Sequence, residues 1–431
     1  MKRKGLSIPS ILTILLTLVV VGGCVALYAT FRSDADLPMT TMKMAGLISD
    51  AFLGDGNARA DDNLPVKTIT MPPQPLATAA PTIAPSRPTN PPQVTFTLSG
   101  MAAFETNIAD TVYDKNSMSC DYQRVLQNVL AHNTGHIRIA VVPQALNAEG
   151  RQYSDKAAHP SAALALHNAG FNAAVVHGDG VLQSGAQTAQ DTANALYQNG
   201  LAVRGVNAQT ANQLLMVEHN GMKVGIIGYS EKLSNASANT LQSAAGNGML
   251  SADTLEELKN LIASARSQGC QCVMVYVQWK NTGAQQVTDA MRLTAKEITA
   301  AGADIIVGTG IKRLLPAAWL STSDENGITK RALILYSMGS LLTESRDGYD
   351  LSGALVHITV QAVGNGVRIT GLAYEPTYIW KQYMDGREQY QVVVNGQAPA
   401  AMNDNQREVM ERCQNRTDES LKNTLILTSE E

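Results

Sequence analysis

The stretch Gly302–Leu320, GADIIVGTGIKRLLPAAWL, indicates the fold more clearly than any other part of the sequence. It has the form of a helix end, a buried apolar strand over Asp304–Gly308, and a loop beyond that strand. Ligands bind beyond the carboxyl ends of strands in open α/β sheets. The loop residues Thr309–Lys312 therefore raise the question of whether a metal site lies there or has been lost.

Strands and helices alternate on both sides of this stretch. Predicted strands include VTFTLSG (94–100), HIRIAVV (136–142), CVMVYVQW (272–279) and RALILYSMGSLL (331–342), and predicted helices lie near 159–171, 186–200, 253–265 and 285–301. Asp253 and Glu256 fit a capping box, and Asn220-Gly221 is a strong hairpin signal. The alternation predicts an α/β fold with a mostly parallel sheet, and a closing hairpin over 353–376 predicts antiparallel strands beside it.

The composition is that of a globular protein of one large or two ordinary domains. The chain has 431 residues, of which 45% are hydrophobic and 16% are charged. Its formal net charge of −4 gives no reason to expect a nucleic-acid partner, and 5% aromatic residues argue against a base-stacking surface.

The N-terminus predicts a membrane anchor. The basic residues Lys2–Lys4 precede an uncharged run, Leu6–Phe31, which is long enough to cross a bilayer as a helix. The basic cluster should stay in the cytoplasm, so the rest of the chain is expected to face outward. Two alternatives remain open: a cleaved signal peptide, and a lipoprotein cleavage box at Val21–Cys24.

Four segments follow from these patterns. We expect an anchor over 1–31, a linker rich in Pro, Thr and Ala over 32–93, a main domain over 94–381 and a C-terminal appendage over 382–431. Outside the anchor there are four cysteines, Cys120, Cys270, Cys272 and Cys413, and sequence alone cannot choose among their three possible pairings.

Five stretches in a fixed order resemble a known family. They are ALHNAGFNAAVV (165–176), GMKVGIIGYS (221–230), GADIIVG (302–308), LILYSMGSLL (333–342) and YEPTYI (374–379). Together they resemble the CapA-type proteins of poly-γ-glutamate capsule synthesis over about 94–380. That resemblance implies the calcineurin-like metallophosphoesterase fold, a four-layer α/β/β/α sandwich with a metal site at its strand ends.

The ligand positions of that family are filled here by other residues. The family's Gly-Asp is matched by Ser99-Gly100, and its Asn-Leu-Glu by Val142–Gln144. Its Asn-Asn-His is matched by Gly178, Asp179 and Gly180, and its His-Trp-Gly is matched by Gln278-Trp279-Lys280. Its Gly-His-His-Pro-His is matched by Gly308, Thr309, Gly310, Ile311 and Lys312. Its Ser-Leu-Gly-Asn is matched by Ser337–Ser340.

These substitutions predict that the family's metal centre is absent. A divalent metal needs several converging carboxylate or imidazole ligands, and only Asp179 among the matched residues is a good one. Lys312 would repel a cation. We therefore expect no metal, no other cofactor and no known catalytic set. The cleft positions are Gly100, Gln144, Asp179, Gly180, Gln278, Thr309, Gly310 and Lys312, and the candidate substrate-binding residues are His177, Asp179, Gln278, Trp279, Lys280 and Lys312.

Three functional hypotheses remain at this point. The first is a membrane-anchored, extracytoplasmic pseudoenzyme that serves capsule or surface-polymer assembly, with an anionic polymer or capsule-synthesis proteins as partners. The second is an active phosphoesterase- or amidase-like hydrolase with a site rebuilt from Asp179, His177 and Gln278. The third is a purely structural envelope protein. Lys280, Lys312 and Arg313 are expected on one rim, where they could bind anions, and Glu105 could supply a carboxylate near the first strand.

Overall fold

Two β-sheets lie face to face and enclose a hydrophobic core. The structure, a computed structural model, describes residues 91–146, 153–154, 157–176, 178–204, 214–244, 254–323, 327, 329–384 and 386–425. The predicted anchor at 6–31 and the linker up to residue 90 lie outside the described residues. Within the described ranges, no helix is both long and apolar enough to cross a membrane.

Eighteen strands and nine α-helices are assigned within these ranges. The strands are β1 (Gln93–Ala102), β2 (Tyr113–Asp114), β3 (Ser119–Cys120), β4 (Ile137–Val142), β5 (Ala145–Leu146), β6 (Ala157–Ala158), β7 (Ala173–Val176), β8 (Ala202–Arg204), β9 (Leu215–His219), β10 (Met222–Ser230), β11 (Cys272–Gln278), β12 (Ile305–Thr309), β13 (Leu314–Ser323), β14 (Thr329–Met338), β15 (Ser340–Leu342), β16 (Ser352–Val363), β17 (Gly366–Met384) and β18 (Arg387–Val394). The helices are α1 (Thr106–Val112), α2 (Gln123–Leu126), α3 (Ser161–Asn168), α4 (Asp179–Leu182), α5 (Ala186–Gln198), α6 (Asn235–Ala244), α7 (Leu255–Ser267), α8 (Asp289–Ala301) and α9 (Asp404–Leu425).

Both large sheets combine parallel and antiparallel pairs. The larger has the order β18-β17-β16-β1-β4-β7-β8, with β15 pairing beside the carboxyl end of β1. Its β1, β4, β7 and β8 are parallel, and β16 to β18 are antiparallel. The smaller has the order β13-β14-β12-β11-β10-β9, with a parallel centre and an antiparallel strand at each edge. The predicted mixture of parallel strands and hairpins is confirmed.

Alternation along the central strands explains the layers. In β4, Ile139 lies in the core between the two sheets, whereas Ala140 faces the helices on the outer side of the larger sheet. In β12, Ile305 faces the other sheet and Ile306 packs under α7 and α8. Helices therefore cover both outer faces, and the described chain is a mixed α/β fold with helix, sheet, sheet and helix layers.

Local signals place most element ends. The hairpin between β9 and β10 turns at Asn220 and Gly221, whose φ angles are 51° and 75°. Helix α7 begins one residue later than predicted, because Thr254 rather than Asp253 is its N-cap and accepts a hydrogen bond from the Glu257 amide. Asp253 lies outside the described residues. Helix α8 ends at Ala301, as predicted, and its C-cap Gly302 has the left-handed conformation that is typical of a helix end.

The described part of the C-terminal segment, predicted as an appendage over 382–431, packs against the main domain. Strand β18 extends the larger sheet, and α9 packs against β13, β16 and β17. Leu421 and Leu425 of α9 lie in the core between the sheets. The described part of this segment thus belongs to the same compact unit as the main domain. All four described cysteines are buried and free, so none of the three pairings is formed.

Candidate functional site

The carboxyl ends of the central strands enclose a cavity of about 290 Å³, which we call the family cleft. Six of the eight predicted cleft positions line it: Gln144, Gly180, Gln278, Thr309, Gly310 and Lys312. Gly100 and Asp179 do not line it. Most of these positions share one cavity because parallel strands end together at one edge of each sheet.

Gln278, at the end of β11, is fixed by the loop before α4. Its Oε1 accepts a hydrogen bond from the Asp179 amide at 3.2 Å. A Cβ atom at Gly178 would lie 1.4 Å from that oxygen, and Gly178 has a φ of +90°. Only glycine therefore fits here, and the amide that replaces a family histidine is used to hold a loop.

Asp179 is turned away from the cleft. Its Oδ1 accepts a hydrogen bond from the backbone amide of Ser234 at 2.8 Å, just before α6. The carboxylate thereby connects two loops at the strand ends. His177, which was predicted to act beside it, lies outside the described residues.

Three further side chains at the cleft bond to backbone carbonyls. The Gln144 Nε2 donates to the Phe104 carbonyl at 3.0 Å, and the Thr309 Oγ1 donates to a carbonyl of β11 at 3.2 Å. The Ser340 Oγ donates to the Lys312 carbonyl at 3.1 Å. These polar groups stabilise the strand ends and the loops, and each bond uses hydrogen-bonding capacity that could otherwise serve a ligand.

Two glycines bring backbone segments too close together for side chains. A Cβ atom at Gly100 would lie 2.6 Å from the Gly339 carbonyl oxygen, and one at Gly180 would lie 1.9 Å from the Pro143 carbonyl oxygen. Both distances are shorter than any ordinary contact of a Cβ atom, so the backbone would have to move. Neither the family's aspartate at the first position nor its histidine at the second can be seated in this arrangement.

Lys312 forms an ion pair with Glu105, a partnership that the sequence did not reveal. The Lys312 Nζ lies 2.7 Å from the Glu105 Oε1, with 40% and 24% of the two side chains exposed. The other oxygen of Glu105 accepts hydrogen bonds from the Thr343 hydroxyl and the Glu344 amide, at 2.8 and 2.7 Å. The charge of Lys312 is therefore balanced within the cleft, by a residue 207 positions away in the chain.

Trp279 is a core residue, so its prediction as a substrate-binding residue is corrected. It is 1% exposed, and its indole N–H donates to the Tyr336 carbonyl at 2.8 Å. Gly308 makes room for the ring, since a Cβ atom there would lie 2.2 Å from the indole nitrogen. A sugar or peptide has no access to this ring.

The three cations predicted on one rim have different surroundings. Lys280 is exposed and does not line the family cleft, and its backbone amide donates to the Glu231 carboxylate at 2.8 Å. Arg313 lines a different cavity from Lys312. Conversely, sequence reasoning missed Met101, whose sulfur accepts a hydrogen bond from the Gly310 amide at 3.2 Å inside the cleft.

Comparison with known proteins identifies the family. The family model described as "Bacterial capsule synthesis protein PGA_cap" matches residues 95–345, more than half of the chain. This chain belongs to the bacterial capsule synthesis protein family. The match spans β1 to β15 and so includes every strand end that borders the family cleft. The predicted resemblance to capsule synthesis proteins is confirmed.

Solved structures provide remoter similarities. The calcineurin-like phosphoesterase YfkN from Bacillus subtilis is 14% identical, with a TM-score of 0.38, over 76% of this chain and 99% of that one. The protein TT1561 of Thermus thermophilus is 7% identical, with a TM-score of 0.32, over 65% of this chain and 98% of that one. A search of curated proteins finds no match to the chain. Similarities this remote say nothing about the activity of this capsule synthesis family member.

The residues described at the family cleft do not fit the metal centre that the sequence resemblance implies. Within the described ranges, no group of three or more His, Cys, Asp or Glu side chains lies together where it could hold a metal ion. The only carboxylate lining the cleft, among these residues, is that of Glu105, and it already accepts bonds from a lysine, a hydroxyl and an amide. A divalent cation would compete with the Lys312 ammonium group for this carboxylate and would have no second strong ligand beside it.

Proposed function

We propose that this capsule synthesis family member is a non-catalytic binding or accessory subunit in the assembly of a cell-surface polymer of the poly-γ-glutamate type. One observation carries the proposal: the polar groups at the cleft positions bond to the protein itself. Gln278, Gln144 and Thr309 each have a backbone partner, and Lys312 has Glu105. A hydrolytic site would instead aim such groups at a substrate or a metal.

The steric closure supports the same proposal. Gly100 and Gly180 occupy positions where the family carries an aspartate and a histidine, and the neighbouring carbonyls fill the space of both side chains. Restoring the family residue at one of these two positions therefore would not rebuild a metal centre. The fold around the cleft is intact, and we propose that it serves as a binding surface for partners.

The partners we propose are capsule-synthesis proteins or the anionic polymer itself. A carboxylate of such a polymer could bind Lys312 in the cleft only by competing with Glu105, 2.7 Å from its ammonium group. This competition favours weak and salt-sensitive contacts with polymer. Protein partners have no such requirement.

The location we propose is the outer side of the cell membrane, with one N-terminal helix as the anchor. The uncharged run Leu6–Phe31 after Lys2–Lys4 supports this proposal. The test is membrane fractionation followed by protease treatment of intact cells. We expect the chain in the membrane fraction and its C-terminal part to be cleaved from outside, and a chain protected from the protease would contradict the orientation.

The functional proposal is tested by hydrolysis assays on the purified full chain. The substrates are poly-γ-glutamate and a chromogenic phosphoester, each assayed with and without added Mn²⁺, Fe²⁺ or Zn²⁺. We expect no turnover above the buffer rate under any condition. Metal-dependent hydrolysis that disappears in Asp179→Ala, with the fold retained, would instead establish the active hydrolase.

A further inference from the structure

A second and larger cavity, of about 600 Å³, lies between β13, α8 and α9. We call it the basic cavity. It shares no lining residue with the family cleft. Its volume lies within the range of about 300–1,000 Å³ that is usual for small-molecule sites. No motif in the sequence pointed to it, because its three elements are brought together only by the docking of the C-terminal helix.

One side of the basic cavity is apolar. Strand β13 contributes an almost continuous apolar run, Leu314–Ala318, and Leu320 beyond it. Val287, ahead of α8, extends this surface. A hydrocarbon group placed here would be removed from water, which favours binding.

The other side carries four cations: Arg292, Lys296, Arg313 and Arg416. Among the described residues the cavity is lined by one carboxylate, that of Glu419. Of the four cations, only Arg313 forms an ion pair within the described ranges, with Asp347 at 3.2 Å. The cavity therefore has an excess of positive charge that the protein does not balance locally, unlike the family cleft.

Two of these arginines are held in place by one aromatic ring. The guanidinium carbons of Arg313 and Arg416 lie 4.2 and 4.0 Å from the centre of the Tyr349 ring. Arg416 also donates to the Gly348 carbonyl at 2.9 Å. Both guanidinium groups are thus positioned by contact with the same ring. Guanidinium groups held in this way suit phosphate or carboxylate oxygens.

We propose that the basic cavity binds an anionic amphiphile, that is, a phosphate or carboxylate head group joined to a hydrocarbon chain. The head group binds among the cations that line the cavity, Arg292, Lys296, Arg313 and Arg416, and the chain lies along β13. This site is independent of the proposed accessory function of the family cleft, and either proposal can fail without the other.

Isothermal titration calorimetry on the full chain tests this site with three probes: hexyl phosphate, inorganic phosphate and hexanol. We expect hexyl phosphate to bind at least about tenfold more tightly than inorganic phosphate, because its methylenes are buried on β13. Hexanol should show no measurable binding. Equal affinity for the two phosphates would mean a simple anion site, and tighter binding of hexanol would mean an apolar site; either result overturns the proposal.

Variants locate the head group. Arg416→Gln and Lys296→Gln should each weaken hexyl phosphate binding, the former by about tenfold. Lys296 is exposed on α8, so its substitution does not threaten folding even if that of Arg416 does. The control is Arg124→Gln, an exposed arginine that does not line the cavity, which should bind like the wild type. Unchanged binding in both cavity variants, or an equal loss in the control, would refute the site.

Discussion

Lys312 and Arg313 are neighbours in the loop after β12, yet their side chains line different cavities. Lys312 faces the family cleft, where the Glu105 carboxylate lies 2.7 Å from its ammonium group. Arg313 faces the basic cavity, where it shares the Tyr349 ring with Arg416. One region has its polar groups satisfied by the protein, and the other has more cations than carboxylates among its described residues.

The difference teaches where a ligand would gain free energy. In the family cleft an incoming group must displace existing hydrogen bonds, so its net gain is small. In the basic cavity three of the four lining cations form no ion pair within the described ranges, so an anion would gain charge interactions without displacing a carboxylate from them. A family match that includes the cleft therefore does not by itself show that ligands bind in the cleft.

The largest expected effect concerns Trp279, which follows β11 and lies in the core. If it is core and not a binding surface, Trp279→Ala should lower the free energy of unfolding by about 3–5 kcal/mol. Urea unfolding followed by circular dichroism measures this loss. Trp319→Ala is the control, because Trp319 is only partly buried, and its loss should be clearly smaller. Equal small losses would return Trp279 to the candidate binding residues.

The next effect concerns the closure of the cleft. Gly100→Asp restores the family's carboxylate, but its Cβ atom would lie 2.6 Å from the Gly339 carbonyl oxygen. We expect a loss of about 3 kcal/mol of stability. Gly283→Asp is the matched control, since a Cβ atom there meets only an ordinary contact of 3.7 Å. A Gly100→Asp variant as stable as the control would show that the cleft is open to the family's ligand.

Much of this scaffold could be predicted because its signals are local. The apolar run of β12, the turn at Asn220-Gly221 and the glycine that ends α8 each depend on residues close together in the chain. Strand ends meet at one edge, so the positions of the cleft followed from the strand order. The contacts on which the proposed function depends could not be predicted from such local signals.

Those parts depend on contacts between residues far apart in sequence. The Lys312–Glu105 pair, the approach of Gly100 to Gly339, and the packing of α9 over β13 have no periodicity that a single sequence could reveal. The same holds for Trp279, because only the tertiary structure shows that Gly308 makes room for its ring. The basic cavity was missed for this reason.

A smaller effect concerns the charge balance of the cleft. Glu105→Gln removes the partner of Lys312, so the cleft should gain affinity for small anions while stability falls by about 1 kcal/mol or less. Calorimetry with citrate and thermal unfolding measure the two changes. Glu297→Gln, which breaks the surface pair with Lys259, is the control and should leave anion binding unchanged. An unaltered affinity in Glu105→Gln would mean that Lys312 does not face bound anions.

The smallest expected effect is a pH dependence of stability at His136, which lies outside both cavities. Burial, the stacked His219 and the charge of Arg138 lower the pKa of His136. The unfolded chain then binds the proton more readily, so stability should be complete above about pH 6.5 and fall slightly as the pH drops below it. The melting temperature of His136→Asn should decrease less between pH 7.5 and 5.5, and an unchanged decrease would contradict this assignment.

The central proposal is that the family cleft does not bind a catalytic metal. The most direct measurement is the metal content of the purified full chain, by elemental mass spectrometry after incubation with Mn²⁺, Fe²⁺ or Zn²⁺ and mild dialysis. Our account predicts only trace metal, far below one ion per chain, with no difference between the wild type and Asp179→Ala. Near-stoichiometric metal that is lost in Asp179→Ala would contradict it and establish a rebuilt centre.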